Sequence, residues 1–98
     1  MRLSPAELSA IRKSLEGVDC RRVFLFGSRT DDSARGGDID LLVYSAAPAF
    51  ELASRVSSRF AREHDARLDV LVIDPSCLTA EQQAFISTLT LEPLDDIL

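Results

Sequence analysis

Two aspartates separated by one residue are the strongest chemical feature of the sequence. Asp38 and Asp40 flank Ile39 at the start of an apolar run that continues through Leu41 and Val43. Residues two apart in a strand point to the same face, so the two carboxylates are predicted to lie side by side. The apolar residues between and after them are predicted to face a core.

A third aspartate, Asp69, lies inside another apolar run, Leu-Asp-Val-Leu-Val-Ile. A charged side chain in such a strand is unfavourable unless that face of the strand meets a partner charge or a metal. If the two strands are neighbours, Asp69 joins Asp38 and Asp40, and three carboxylates together take up protons or bind cations. Hard oxygen ligands suit Mg²⁺ or Mn²⁺ held partly through substrate phosphates.

Less specific interpretations exist for the same residues. Asp38 and Asp40 could belong to a half-solvated edge strand with alternating acids, and Asp69 could be a salt-bridge partner for Arg67 or Arg22. We favour the metal interpretation because the three carboxylates occur together with a Gly-Ser pair.

That pair, Gly27-Ser28, directly follows the apolar run at residues 22–26. A turn at this point could aim backbone N–H groups and the Ser28 hydroxyl at a phosphate, without obstruction by a side chain at Gly27. The polar stretch at residues 29–37 then leads to the aspartate pair. A phosphate cradle and a carboxylate cluster would face one cleft.

Capping boxes and hydrophobic periodicity predict the elements that position these residues. Helices are predicted from the capping box at residues 4–7 to about Gly17, at about 49–64, and after a second capping box at 79–82, where the helix would bury Phe85, Ile86 and Leu89. Strands are predicted at 22–26, 38–44 and 68–73. One helical turn could follow Ser28. The order αββαβα, without a linker or an internal repeat, predicts a single α+β domain over residues 1–98, with helices packed on a small mixed sheet.

Together these residues resemble a known signature. Leu-Phe-Gly27-Ser28-Arg29, a polar loop and Gly-Asp38-Ile-Asp40-Leu-Leu-Val, followed by Asp69, look like the GS and DxD motifs of the DNA polymerase β superfamily. The likeness covers residues 23–73. The short chain resembles the minimal nucleotidyltransferases that are encoded beside helical HEPN proteins.

The resemblance implies a polymerase β-type fold and transfer of a nucleoside monophosphate, with ATP as the expected donor, to a hydroxyl group. It implies that Gly27, Ser28 and Arg29 bind the nucleotide, and that Asp38, Asp40 and Asp69 ligate two Mg²⁺ ions. Asp69 would also help to deprotonate the acceptor. Some relatives adenylylate a HEPN toxin, so the resemblance implies an antitoxin with a helical toxin as partner.

Charge and hydropathy exclude other classes of protein. The net charge is −5, and the eleven basic residues form no continuous run, which disfavours an extended nucleic-acid surface. No segment is apolar for long enough to span a bilayer, and we expect a cytoplasmic protein. Cys20 and Cys77 lack zinc-site spacing and are interpreted as ordinary thiols.

Two other functions stay open at this stage. The chain could be a binding module that neutralises a toxin by occlusion, or a nucleotidyltransferase that acts on RNA or a small molecule. So small a chain leaves part of the pocket to a partner or to a second copy in a homo-oligomer. Asp31, Asp32 and Asp74 are predicted to be turn or cap residues, and His64 to lie at a helix C-terminus.

Overall fold

The computed structural model describes residues 1–98. Along the chain it contains α1 (Pro5–Ser14), β1 (Arg22–Phe26), a 3-10 turn (Gly27–Thr30), β2 (Ile39–Tyr44), α2 (Ala49–Glu63), β3 (Leu68–Ile73), α3 (Ala80–Ser87) and β4 (Glu92–Pro93). The predicted α+β class is confirmed, with three helices and one mixed sheet. No helix has the length and apolar character needed to cross a membrane.

Local sequence signals set the helix starts. Ser4 accepts a hydrogen bond from the Glu7 amide, and the Glu7 side chain accepts one from the Ser4 amide, which makes the predicted capping box before α1. Thr79 and Gln82 make the same reciprocal pair before α3. These bonds satisfy amides that have no partner inside the helix.

The four strands run in the order β3-β2-β1-β4. β1 is antiparallel to both β2 and β4, whereas β2 and β3 are parallel. A parallel pair needs a crossover between its strands, and α2 provides it. The second and third strands are therefore neighbours, as the candidate carboxylate cluster requires.

Side-chain alternation in β2 divides the apolar residues into two groups. Ile39, Leu41 and Val43 are fully buried in the main core with Ile11 of α1 and Phe60 of α2. This confirms the predicted inward face of β2. Helices α1 and α2 therefore cover one face of the sheet.

The opposite face carries a smaller apolar cluster. Phe24, Leu42 and Ile73 are buried there, with Ile86 packed against them. Tyr44 packs against the edge of Phe24 at 5.3 Å between ring centroids, so it is a packing residue. Asp40 lies on this face, two residues before Leu42 in β2.

Three details of the prediction were wrong. Strand β4 was not predicted, because two residues that include Pro93 carry no periodic signal. The third helix buries none of the three residues predicted for it: Phe85 is 47% exposed, Ile86 is half-buried, and Leu89 is half-buried and lies beyond the end of α3 at Ser87. Strand β2 begins at Ile39, so Asp38 lies just outside the ladder.

Candidate active site

The three aspartates lie at one end of the sheet. In the parallel β2–β3 ladder Asp40 is the direct partner of Asp69, and in the β1–β2 ladder it is the partner of Phe26, the last residue of β1. Asp38 immediately precedes β2. The topology therefore brings the carboxylates to the end of the sheet where β1 is followed by Gly27.

Glycine allows the loop to pack directly against this cluster. Gly27 has φ +78°, and a Cβ atom there would collide with the Asp40 carboxylate. Gly37 has φ +90°, and a Cβ atom there would collide with the Ser28 hydroxyl. Other residues rarely adopt such φ values and would lack the space, so these two glycines set the approach of the loop.

The environment of Asp40 disfavours its charge. Partial burial raises the pKa of Asp40, and the negative charges of Asp69 and Asp38 raise it further, while Arg67 opposes them. A divalent cation would reverse this balance by favouring the ionised carboxylate. The ionised form of Asp40 would therefore gain from a cation bound at this cluster.

Arg67 lies between the outer two carboxylates. Its Nε atom is 3.4 Å from Asp69 Oδ1 and 4.0 Å from Asp38 Oδ2. The interpretation of Asp69 as a salt-bridge partner of Arg67 is thus confirmed as a contact, whereas Arg22 pairs with Asp95. The Arg67 side chain is 72% exposed, so this pairing contributes at most about 1 kcal/mol.

No three His, Cys, Asp or Glu side chains form a group that could hold a metal ion as they stand. The donor set nevertheless fits Mg²⁺ chemically, because Asp38, Asp40 and Asp69 offer hard oxygens. Mg²⁺ commonly takes one or two carboxylates and completes its shell with water and substrate phosphates. The carboxylates of Asp38 and Asp69 are 52% and 49% exposed, which leaves them accessible to such ligands.

The Gly27–Thr30 turn places Ser28 and Arg29 differently. Ser28 is exposed and lies against Gly37 at the predicted phosphate position. Arg29 points inward: its guanidinium group pairs with Glu7 and donates to the carbonyl oxygens of Arg2 and Gly37. Nucleotide binding by Arg29 stays a prediction, and the structure adds a contact that holds the loop.

Two of the three acidic residues predicted to be turn or cap residues, Asp31 and Asp74, make contacts of that kind. Asp31 Oδ1 accepts hydrogen bonds from the amide and hydroxyl of Ser33, and these bonds lower the pKa of Asp31. Asp74 accepts the equivalent pair from Ser76. The Asp32 carboxylate instead pairs with the N-terminal amine, 31 residues away, and accepts no hydrogen bond from a nearby backbone amide. The carboxylates of Asp31 and Asp32 are therefore both engaged in contacts.

Two half-open pockets lie away from the carboxylates. One, of about 280 Å³, lies between the segment that follows α1 and the start of α2, lined among others by Val18, Pro48 and Leu52. A second, of about 330 Å³, is lined only by charged residues of α1 and α2 and of the turn after α1, namely Lys13, Glu16, Arg59, Arg62 and Glu63. The carboxylates instead lie at an open end of the sheet, outside both pockets.

Sequence reasoning missed two residues around the site, Glu7 and Arg2. Arg67, which directly precedes β3, was predicted only as one of two possible salt-bridge partners of Asp69. Glu7 was interpreted only through its capping box, and Arg2 was not considered. No local pattern signals that these last two reach a loop more than 20 residues away in sequence.

Comparison with known families adds no relative to this picture. No protein-family model matches the chain, and no curated protein matches it. The likeness to polymerase β-type nucleotidyltransferases therefore rests on the motif residues and on the arrangement of Asp38, Asp40, Asp69 and Gly27 described above.

Proposed function

We propose that the chain is a metal-dependent nucleotidyltransferase of the minimal polymerase β type. The observation that carries this proposal is the register of β2 and β3, which pairs Asp40 with Asp69 beside Gly27. A glycine turn that packs on a carboxylate cluster would bring phosphate-binding and metal-binding groups together. Neither motif alone would support this function.

Each residue has a role in the proposed reaction. Asp38, Asp40 and Asp69 would hold two Mg²⁺ or Mn²⁺ ions, which supply stabilisation of the attacking and leaving oxygens. Ser28 would donate its hydroxyl to the terminal phosphates of ATP. The acceptor oxygen forms a bond to the α-phosphorus, the bond to the β-phosphate breaks, and pyrophosphate leaves. Asp69, half exposed, would receive the acceptor proton.

The exposure of the site indicates where the acceptor hydroxyl could come from. Nucleotide pockets usually enclose most of the ligand, whereas here the carboxylates lie on an open edge. A second surface is therefore needed to complete the pocket, either from a protein that carries the acceptor hydroxyl or from another copy of this chain. We propose a helical HEPN-type toxin as that partner, which would make this chain an antitoxin.

A transfer assay tests the function. The purified chain, alone and with a helical HEPN-type protein as the proposed partner, is incubated with Mg²⁺ and ATP labelled in either the α- or the γ-phosphate. The proposal predicts label on the partner from α-labelled ATP only, together with released pyrophosphate. Label from the γ-phosphate would identify a kinase, and no label with any of the four nucleoside triphosphates would contradict the transferase.

One observation favours a second candidate, a binding module that neutralises a toxin by occlusion. Arg67 already pairs with Asp38 and Asp69, and no cavity encloses the site. A module of this kind would neutralise its partner without nucleotide, and Asp40→Asn would not impair neutralisation. The transferase requires both nucleotide and Asp40.

A further inference from the structure

The loop that joins β1 to β2 is held by an arginine from outside it. Arg2 donates from Nε to the Asp31 carbonyl oxygen at 2.7 Å, and from Nη2 to those of Ser28 and Gly36 at 3.0 and 2.9 Å. One planar group thus gathers three carbonyl oxygens along the loop. A flexible ammonium group could not hold the same fork of donors.

A second arginine ties the loop to α1. Arg29 donates from Nε to the Gly37 carbonyl oxygen at 3.0 Å and from Nη1 to Glu7 Oε1 at 3.0 Å, while Nη2 lies 3.0 Å from Glu7 Oε2. The Arg29 and Glu7 side chains are only 12% and 9% exposed. A nearly buried, bidentate pair of this kind is both strong and geometrically specific.

The two arginines are also joined to each other. The Arg2 amide donates to the Arg29 carbonyl oxygen at 2.8 Å, and Arg29 Nη1 donates to the Arg2 carbonyl oxygen at 2.9 Å. We name Arg2, Arg29 and Glu7 the loop clamp. Because its contacts include the carbonyl groups of Ser28 and Gly37, it fixes both ends of the loop that meet beside Asp40.

We propose that the loop clamp is a positioning device that holds Ser28 and Gly27 in a phosphate-binding arrangement before nucleotide arrives. This inference rests on the proposed function. The loop between Thr30 and Ile39 contributes no residue to either apolar cluster, so polar contacts must hold it. A loop ordered in advance binds its ligand more tightly, since less conformational freedom is lost on binding.

Charge-conserving variants test the clamp. Arg29→Lys and Arg2→Lys keep the positive charge but lose the planar fork of donors. Arg2→Lys also leaves the buried Arg29–Glu7 pair intact, so it can be tested even if Arg29→Lys fails to fold. Arg59→Lys is the matched control, because Arg59 also donates to two carbonyl oxygens, those of Ser14 and Glu16, but lies away from the site.

Hydrogen exchange of the nucleotide-free protein gives the first readout. The amides of Asp31, Ser33 and Ala34 are hydrogen-bonded within the loop. In the clamp variants these amides should exchange about tenfold faster, and in Arg59→Lys they should not change. Unchanged loop exchange in a folded Arg2→Lys variant would overturn the clamp.

Binding of a non-hydrolysable ATP analogue with Mn²⁺ gives the second readout. The clamp variants should raise its dissociation constant about tenfold, as loss of a supporting contact does in other sites, whereas Arg59→Lys should leave it unchanged. Faster loop exchange with unchanged affinity would overturn the positioning role. If the wild-type chain binds no analogue, both the proposed transferase function and the positioning role are contradicted. Hydrogen exchange would still test whether the clamp contacts hold the loop.

Discussion

Asp40 and Asp69 are direct neighbours across the parallel β2–β3 ladder. Like charges opposite each other weaken a sheet, and the Arg67 charge that compensates this pair is exposed and contacts only Asp69 of the two. Stability alone would favour a neutral or oppositely charged partner at one of the two positions. A local cost of this kind is characteristic of functional sites, where it is offset elsewhere in the fold.

The first prediction concerns the cost of the Asp40 charge. Asp40→Asn should stabilise the cation-free protein at pH 7 by on the order of 0.5–1 kcal/mol, because the amide is not repelled by Asp38 and Asp69. Urea unfolding measures the change. Asp96→Asn, at an exposed position, is the control, and an Asp40→Asn protein less stable than this control would contradict the account.

The pH dependence of that gain follows from the raised pKa of Asp40. Protonated Asp40 stabilises the fold below its unfolded pKa, near about 3.9, and that contribution is lost as the pH rises through the higher folded value. The advantage of Asn over Asp should therefore be small at low pH, grow through this window, and be constant above it. Unfolding at several pH values checks this.

The second prediction concerns Glu7. Burial by itself would raise the pKa of Glu7, but hydrogen bonds from Arg29 and Ser4 and the Arg29 charge lower it overall. The contribution of ionised Glu7 to stability is therefore full above its ordinary pKa and is lost as the pH falls through the lower folded value. Acid unfolding below about pH 4.3 should include this loss.

Glu7→Gln tests this contribution. The variant should destabilise the fold at pH 7 by about 2–3 kcal/mol, since it leaves the nearly buried Arg29 without its counter-charge. It should also be less sensitive to acid. Glu63→Gln is the control, because Glu63 pairs with Lys13 on the surface at 3.4 Å. Equal losses in the two variants would contradict the role of Glu7.

The third prediction compares two glycines with similar backbone conformations. Gly27 and Gly17 have φ values of +78° and +71°, but a Cβ atom would collide with Asp40 only at Gly27. Each Ala variant should lose about 1–2 kcal/mol of stability from backbone strain. Only Gly27→Ala should also lose nucleotidyl transfer. Similar activity in the two variants would show that the close approach to Asp40 is not needed.

The fourth prediction concerns Arg67. Arg67→Gln should raise the affinity for Mn²⁺ up to about fivefold, because an exposed ion pair that competes for Asp69 is worth about 0.2–1 kcal/mol. Titration calorimetry without nucleotide measures the change. Arg55→Gln, which removes an exposed charge elsewhere, is the control. Weaker binding after Arg67→Gln would mean that this side chain helps to form the cation site.

The sequence predicted the features that depend on local patterns. The capping box at Ser4, the alternation along β2 and the Gly-Ser turn after β1 each act within a few residues, so they could be read directly. The prediction of a carboxylate cluster depended on β2 and β3 being neighbours, and in the structure the crossover through α2 places them side by side. The proximity of Asp38, Asp40 and Asp69 follows from that placement.

Contacts between distant residues could not be predicted in the same way. Glu7 satisfied a capping box, which left no sign that its carboxylate also pairs with Arg29, 22 residues later. Arg2 has no periodic neighbour, and its three carbonyl partners depend on how the loop folds. Strand β4 is too short for any pattern, and Phe85 fits an apolar helix face that the neighbouring sheet does not reach.

The most direct test of the central claim is transfer from α-labelled ATP by single-residue variants at the carboxylate cluster. Wild-type protein, Asp40→Asn, Asp69→Asn and the control Asp96→Asn are compared with Mg²⁺ and the proposed helical partner, after each is shown to be folded. The account predicts that label is transferred by wild type and Asp96→Asn, and falls at least about 100-fold in the other two. Undiminished transfer by folded Asp40→Asn would contradict the assignment of the site.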